Sequence, residues 1–203
     1  MKDIEVLVHS AIRIAKGGYV IYIDPFNIDE NYNDADFVFI THSHYDHYSK
    51  EDLSKVINSK TIIIASEDIK EEGFFNVIPN KEYEIAGLKF FTVRAYNKEK
   101  EFHPKENNWV GYVINIENIL YYIAGDTDGL EENENLKVDI AFVPVGGKYT
   151  MDYLEAADFI NKLKPKIVIP THYGSIVGSK EEGLKFKEKL ESLNKDTKVK
   201  IML

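Results

Sequence analysis

The sequence predicts an α/β (α+β) chain in which two β-sheets pack face to face with helices on their outer sides. Three observations carry that prediction. Short apolar runs rich in Val, Ile, Phe and Tyr recur along the whole chain, each bounded by Gly, Pro, Asn or Asp, as strands are. The runs form two groups, one in each half, and each group has its own amphipathic segments, which suits two sheets with helices outside them. Hydrophobic residues make up 44% and aromatics 12% of the 203 residues, enough to build a packed core and incompatible with disorder. At ~100–200 residues per domain, residues 1–203 are expected to form one domain.

In order, the expected strands are residues 4–8, 19–23, 37–40, 61–65, 88–93, 109–116, 119–124, 140–145 and 167–169. Only Glu117 and Asn118 separate residues 109–116 from 119–124, which predicts a tight hairpin. Short separations suggest antiparallel pairing for the first two runs and for the run that begins at Leu88. Ser49 with Asp52 forms a capping-box pattern ahead of Leu53, Val56 and Ile57, which share one helical face. Thr150 is a candidate cap for a second helix with Asp152 in its first turn and Ala156, Ile160 and Leu163 on one side, ended by Pro165. Ser179 with Glu182 marks a third helix, carrying Phe186, Leu190 and Leu193 at helical spacing.

The charge balance narrows the function. With 25 basic and 34 acidic residues the net charge is -9, and only Arg13 and Arg94 are arginines. General affinity for nucleic acid needs basic patches, so nucleic acid is disfavoured as a partner. No apolar run approaches the ~20 residues of a membrane span, and the first residues lack a secretory pattern. A soluble cytoplasmic protein without a membrane partner is expected. The chain has no cysteine, so any metal must be held by imidazole nitrogen and by oxygen. Six histidines are available for that role.

Three of them fall within Thr41-His42-Ser43-His44-Tyr45-Asp46-His47, between an apolar run and the Ser49 cap. Residues two apart in extended backbone point the same way, so His42 and His44 can share one metal. Asp46 and His47 follow the turn of the chain and can reach a second one. Two further apolar runs end in ligand-type residues: Gly125-Asp126-Thr127-Asp128 and Pro170-Thr171-His172-Tyr173-Gly174. Strands ending at one edge would gather Asp126 and His172 with the histidine cluster, and an aspartate can bridge two divalent ions. His9 is a candidate for a supporting contact to a ligand. Gly146 and Gly147 could admit backbone to a bound anion, with Lys148 and Tyr149 beside them.

His42-Ser43-His44-Tyr45-Asp46-His47 resembles the H-x-H-x-D-H signature of the metallo-β-lactamase superfamily, and Gly125-Asp126-Thr127 and Pro170-Thr171-His172-Tyr173 fit its downstream motifs in order. Phe142-Val143-Pro144-Val145-Gly146-Gly147, with Tyr149-Thr150-Met151 after it, is similar to the small branch of metal-dependent hydrolases related to ascorbate-6-phosphate lactonase. Val8-His9-Ser10 is similar to that branch's short Gly-His-Ser segment, with Val8 in place of Gly. The resemblance implies a four-layer αββα sandwich of two mixed sheets. It implies a dinuclear site: His42 and His44 at the first metal, Asp46, His47 and His172 at the second, and Asp126 bridging both. One slot departs from the family. Where the first metal normally takes a third histidine, this chain has Asn97. Two completions are open: Asn97 as a weak oxygen ligand, or His103 reaching in from the loop 98–107.

The expected cofactor is one or two divalent metal ions, zinc first, with manganese, nickel or iron accepted by the same donors. The expected activity is hydrolysis of a small-molecule ester or lactone or a phosphodiester-type substrate. A metal-held hydroxide would attack, Asp46 would orient the second metal and accept a hydrogen bond or proton from that hydroxide, and His172 or solvent would assist the leaving group. The alternatives are a binding or sensing module that keeps part of the site, and an iron-dependent redox member of the superfamily.

Overall fold

The computed structural model describes residues 3–203. The first half forms a sheet of β1 (Ile4–Val8), β2 (Ala11–Lys16), β3 (Tyr19–Ile23), β4 (Phe37–Ile40), β5 (Ile62–Ser66) and β6 (Phe75–Val77), in that spatial order. β1, β2 and β3 are an antiparallel meander, and β3 to β6 run parallel. The second sheet repeats the plan. β7 (Glu82–Ile85), β8 (Leu88–Arg94), β9 (Val110–Ile116) and β10 (Ile119–Ile123) form an antiparallel meander. From β10 the sheet continues in parallel through β11 (Ile140–Pro144), β12 (Ile167–Thr171) and β13 (Lys198–Val199).

The helices α1 (Lys50–Val56), α2 (Tyr153–Leu163) and α3 (Glu181–Leu193) are the crossovers of the parallel portions. Leu53 and Val56 of α1 pack with Tyr22, Val38 and Ile40 on the outer face of the first sheet. Phe159, Ile160, Phe186 and Leu190 of α2 and α3 pack with Val113, Tyr122, Val143 and Val168 on the outer face of the second. Between the sheets, alternate residues of each strand interdigitate: Ile12 and Ile14, Ile21 and Ile23, Phe37 and Phe39 from one side, Tyr112, Ile114 and Ile116 from the other. The four-layer αββα sandwich is therefore present. Among the described residues no helix is long and apolar enough to cross a membrane.

Several local expectations need correction. β2 lies between β1 and β3, so the first two apolar runs are each antiparallel to β2 and do not pair with each other. Its polar positions conceal it: Arg13 turns away from the core to Asp34 and Glu5 while Ile12 and Ile14 turn inward. α2 is capped by Asp152, whose carboxylate accepts from the Leu154 and Glu155 amides, and Thr150 is buried ahead of it. α3 begins one residue after the expected point, with Lys180 as its cap, and Ser179 accepts from the Glu181 amide. The hairpin between β9 and β10 is as expected, with Glu117 and Asn118 both at positive φ, 52° and 62°.

Hydrogen bonds among the described residues join the two sheets along one edge. The Tyr112 hydroxyl donates to the Ile40 carbonyl at 2.8 Å, the Val110 amide to the Thr41 carbonyl at 3.3 Å, and the His172 amide to the His9 carbonyl at 3.0 Å. That edge is where β4, β10 and β12 deliver the chemically active segments. Tyr112→Phe removes a buried donor and leaves the Ile40 carbonyl short of a partner. The expected cost is about 1–2 kcal/mol, read as a lower urea midpoint with an unchanged slope; an unaltered midpoint would show that this bond does not brace the edge.

Candidate metal centre

The segment after β4 is set by Asp24, at the end of β3. Its carboxylate accepts from the Thr41 amide at 2.8 Å and from the Thr41 hydroxyl at 2.8 Å, which fixes the direction in which the chain leaves the strand. The chain then turns, with the His47 and Tyr48 amides both donating to the His44 carbonyl. From the second sheet, Gly125 at φ 67° swings Asp126 over the strand ends. His172 follows β12 with φ 59°. His9, just past β1, has φ 54° and lies against it, ring centroids 3.9 Å apart.

Three of the rings, those of His42, His47 and His103, are aimed by a bond on the far side, whereas Nδ1 of His172 is buried without a partner. His42 Nδ1 donates to the Thr41 hydroxyl at 3.0 Å, which itself donates to Asp24. His47 Nδ1 donates to Asp24 Oδ2 at 2.8 Å, and His103 Nδ1 donates to Asn97 Oδ1 at 2.9 Å. These bonds place a hydrogen on Nδ1 and leave Nε2 as the inward atom. Asp126 lies in the middle, with Nε2 of His172 at 3.0 Å, of His103 at 3.2 Å and of His47 at 3.3 Å. Asp46 sits beside them, 3.6 Å from His172 Nε2 and 3.2 Å from His9 Nε2. His42, His44 and Trp109 pack together, with both imidazole centroids 4.7 Å from the indole.

All seven residues singled out from the sequence are thus brought together: His42, His44, Asp46, His47, His103, Asp126 and His172. His42, His44 and His103 can bring one nitrogen each within 4.8 Å of one another, and His42, His47 and Asp126 do the same beside them. Asp46, His47 and His172, with His9, make a further set of that span. Asn97 does not enter the cluster. Its oxygen accepts from the His103 amide and ring, and its amide nitrogen donates to Asp128 and to the Tyr149 carbonyl. Among the described residues, Nε2 of His42, His47, His103 and His172 and Oδ1 of Asp126 are buried without an aligned hydrogen-bond partner, the approaches to Asp126 being ion-pair distances and not hydrogen bonds. A single orphaned buried polar atom costs about 1–3 kcal/mol. Imidazole nitrogens and a carboxylate oxygen facing one another in this way fit a divalent cation. His9 differs, because both its nitrogens are engaged, Nε2 by Asp46 and Nδ1 by Ser175.

Without a cation the cluster carries its own charge pattern. Burial pushes His42 and His44 down, and His9 down to about 4, so these rings stay neutral. Burial also opposes charge on His47 and His172, but Asp126 beside both, with Asp24 and Asp46, raises them. Burial would lift Asp46 and Asp126, yet the neighbouring imidazoles hold both well below the usual carboxylate range.

Two contributors lay outside the sequence reading. Asp24 had a visible signal, since Ile23-Asp24-Pro25 ends an apolar run as Asp126 does. Asp128 stands in the same Gly125-Asp126-Thr127-Asp128 run and anchors the next segment, accepting from the Lys98 amide and from Asn97. Above the cluster opens a cleft of about 270 Å³, lined by His44, Asp46, His103, Asp126 and His172 at its base.

Fold and cluster together define the class. The profile of the Beta-lactamase superfamily domain matches residues 3–172, and the chain belongs to that superfamily. Within it, the chain belongs with the UPF0173 proteins. A UPF0173 metal-dependent hydrolase of Nanoarchaeum equitans is 33% identical, covering 94% of this chain and 96% of its own. A UPF0173 protein of Pyrococcus abyssi is also 33% identical, over 87% of this chain and 86% of its own. Among solved structures, a metal-dependent hydrolase candidate from Parabacteroides distasonis superposes with TM-score 0.85 at 29% identity, covering 98% of this chain and 91% of the other. The Ignicoccus hospitalis metallo hydrolase Igni18 shares the fold, with TM-score 0.79 at 23% identity over 98% and 94% of the two chains.

The neutral state of His9 gives the metal-free protein a defined pH response. Unfolded, the ring takes a proton below ~6.5; folded, it resists until about 4, so stability falls as pH drops through that window. His9→Gln removes this contribution. Between pH 6.5 and 4 the metal-free variant should lose less stability than the parent, by up to ~3 kcal/mol in urea unfolding. Equal losses would mean that His9 is not held neutral.

Proposed function

We propose that this chain is a metal-dependent hydrolase working on a small molecule at the edge where the two sheets meet. The observation that carries the reading is the set of orphaned atoms: Nε2 of His42, His47, His103 and His172 with Oδ1 of Asp126, buried and facing one another. In this reading His42, His44 and His103 hold a first divalent ion. Asp46, His47 and His172 hold a second, and Asp126 lies between them. Zinc suits these nitrogen and oxygen donors best, and manganese, nickel and iron are accommodated by the same set. Divalent ions held here would supply a water acidified towards ~7 and polarisation of the bond under attack.

The chain's own groups have separate tasks. Thr41, Asp24 and Asn97 keep the imidazoles of His42, His47 and His103 in the tautomer that presents Nε2. Asp46 lines the cleft and is held ionised by its imidazole neighbours, so it is placed to accept a hydrogen bond from a nucleophilic water and orient it. His9 positions Asp46 by donating to Oδ2. His172 also lines the cleft and is the second group placed to meet a leaving group there. The substrate is an ester, lactone or phosphodiester-type compound. The binding-module alternative drew its support from Asn97 in a ligand slot, and Asn97 holding His103 removes that support.

Two variants test the reading through metal content and turnover. The parent protein, refolded with excess zinc and desalted, should retain two equivalents by atomic emission and hydrolyse at least one simple ester, lactone or phosphodiester. His103→Ala should lower the retained metal towards one equivalent. His44→Ala, with an unchanged circular dichroism spectrum, should lower kcat/KM by at least about a hundredfold. A parent protein that retains no metal, or a His44→Ala protein with undiminished hydrolysis, would sink the proposal.

A further inference from the structure

The walls of the cleft above the cluster differ in character from its base. Tyr45, Phe102, Tyr149, Ile176 and Val177 form them, from four separate segments of the chain. Tyr45 is 68% exposed, Phe102 44% and Ile176 48%, three of the eight large apolar side chains that are exposed among the described residues. Phe102 and Tyr149 meet edge to face, with centroids 4.6 Å apart, so that wall is an aromatic corner and not a pair of loose side chains. Leaving large apolar groups in water at the mouth of a polar site is unfavourable unless a ligand covers them.

Charge is missing from the same walls. No lysine or arginine lines the cleft among the described residues. Two nearby cations are engaged elsewhere, Lys100 with Asp128 and Lys98 with Glu155, and a third, Lys148, lies over the Tyr149 ring at 4.8 Å without itself lining the cleft. A substrate tail carrying carboxylate or phosphate would find no lysine or arginine among the lining side chains and would meet positive charge only at Lys148 over the Tyr149 ring. The volume fits a modest group. A cavity of ~150 Å³ accepts a benzene ring, so about 270 Å³ holds a ring together with the atoms under attack. A larger depression, about 450 Å³, lies over β7 and β8, but it shares no lining residue with the cluster and is flanked by Glu82, Glu84 and Lys89.

We infer that the cleft is a subsite for an uncharged apolar or aromatic substituent of the substrate, held between the Phe102–Tyr149 corner and Ile176 while the reacting group sits over the cluster. This rests on the hydrolase reading only for the ion that anchors the reacting group. Of the substrate classes the site chemistry allows, it selects esters and lactones with small apolar substituents over compounds with an anionic tail.

Hydroxamates test the subsite by binding, without turnover. Zinc-loaded protein, its metal content verified, is titrated calorimetrically with acetohydroxamate, benzohydroxamate and the monohydroxamate of succinate. Benzohydroxamate should bind about tenfold more tightly than acetohydroxamate, and the succinate compound no more tightly than acetohydroxamate. Phe102→Ala and Ile176→Ala, both at exposed positions, should each weaken benzohydroxamate about three- to fivefold and leave acetohydroxamate unchanged. Phe102→Leu should restore part of the loss. The inference is overturned if benzohydroxamate gains nothing over acetohydroxamate, if the succinate compound binds best, or if the variants weaken both small and aromatic compounds alike. Phenyl acetate hydrolysis measured alongside separates the two claims. An aromatic preference without any turnover would leave the subsite and remove the hydrolase; turnover without the preference would do the reverse.

Discussion

Asp126 is a carboxylate taken out of water at the meeting line of two sheets, with imidazole nitrogens from three different segments within 3.3 Å of it. Removing a carboxylate from water costs several kcal/mol, and that cost is met only by positive charge close by. In the metal-free chain Asp126 favours a proton on His47 and His172, raising both. In the proposed working state the positive charge comes from divalent ions held by the same atoms. Either way, His47 from the first sheet, His172 from the second and His103 from a loop must arrive at one point, and the folding of each half depends on the other.

The chain accepts local strain to bring them there. His9, Asp24 and His172 all have positive φ, each a conformation that costs a non-glycine residue about 1 kcal/mol or more. Asp and His are among the residues that tolerate it best, and each of the three is tied down from several sides. Asp24 is held by Thr41 and His47, and His9 by Asp46 and Ser175. The His172 backbone is fixed by its bond to His9. Gly146 completes this corner, because a Cβ there would run into the His172 carbonyl oxygen. The close approach of backbone that the sequence suggested for the Gly146-Gly147 pair is therefore made by the protein itself.

How far the sequence could be read depended on whether information was local. The two-sheet plan was visible because interior strands such as β4, β9 and β11 are nearly continuous apolar runs. β2 was not, because Arg13 and Lys16 alternate with its core residues. β6, β7 and β13 are short edge strands with one or two core contacts each. The histidine cluster was legible because four potential ligands, three histidines and an aspartate, crowd into six positions. Asp126 and His172 were legible because each stands where a buried strand stops. Asp24 followed the same rule yet went unread, since its partners, Thr41 and His47, lie 17 and 23 residues away in sequence. The walls of the cleft come from segments around residues 45, 102, 149 and 176, and nothing local connects those positions.

Under the proposed assignment, the Asn97 position illustrates how a departure from a motif can leave the chemistry in place. A single asparagine replaces an expected histidine, and a histidine six residues later takes up the space. That exchange needs a loop that doubles back with little freedom. The loop is closed at its neck: the Asn97 amide donates to the His103 carbonyl at 2.8 Å, and the His103 amide donates to Asn97 Oδ1 at 3.0 Å. Asp128 braces the same neck through the Asn97 side chain and the Lys98 amide. The Asn97 oxygen, too weak a donor to replace imidazole at a metal, is well suited to accept from the ring that does. In the proposed site asparagine at 97 and histidine at 103 would therefore work as one unit, the first orienting the ring and the second offering its nitrogen.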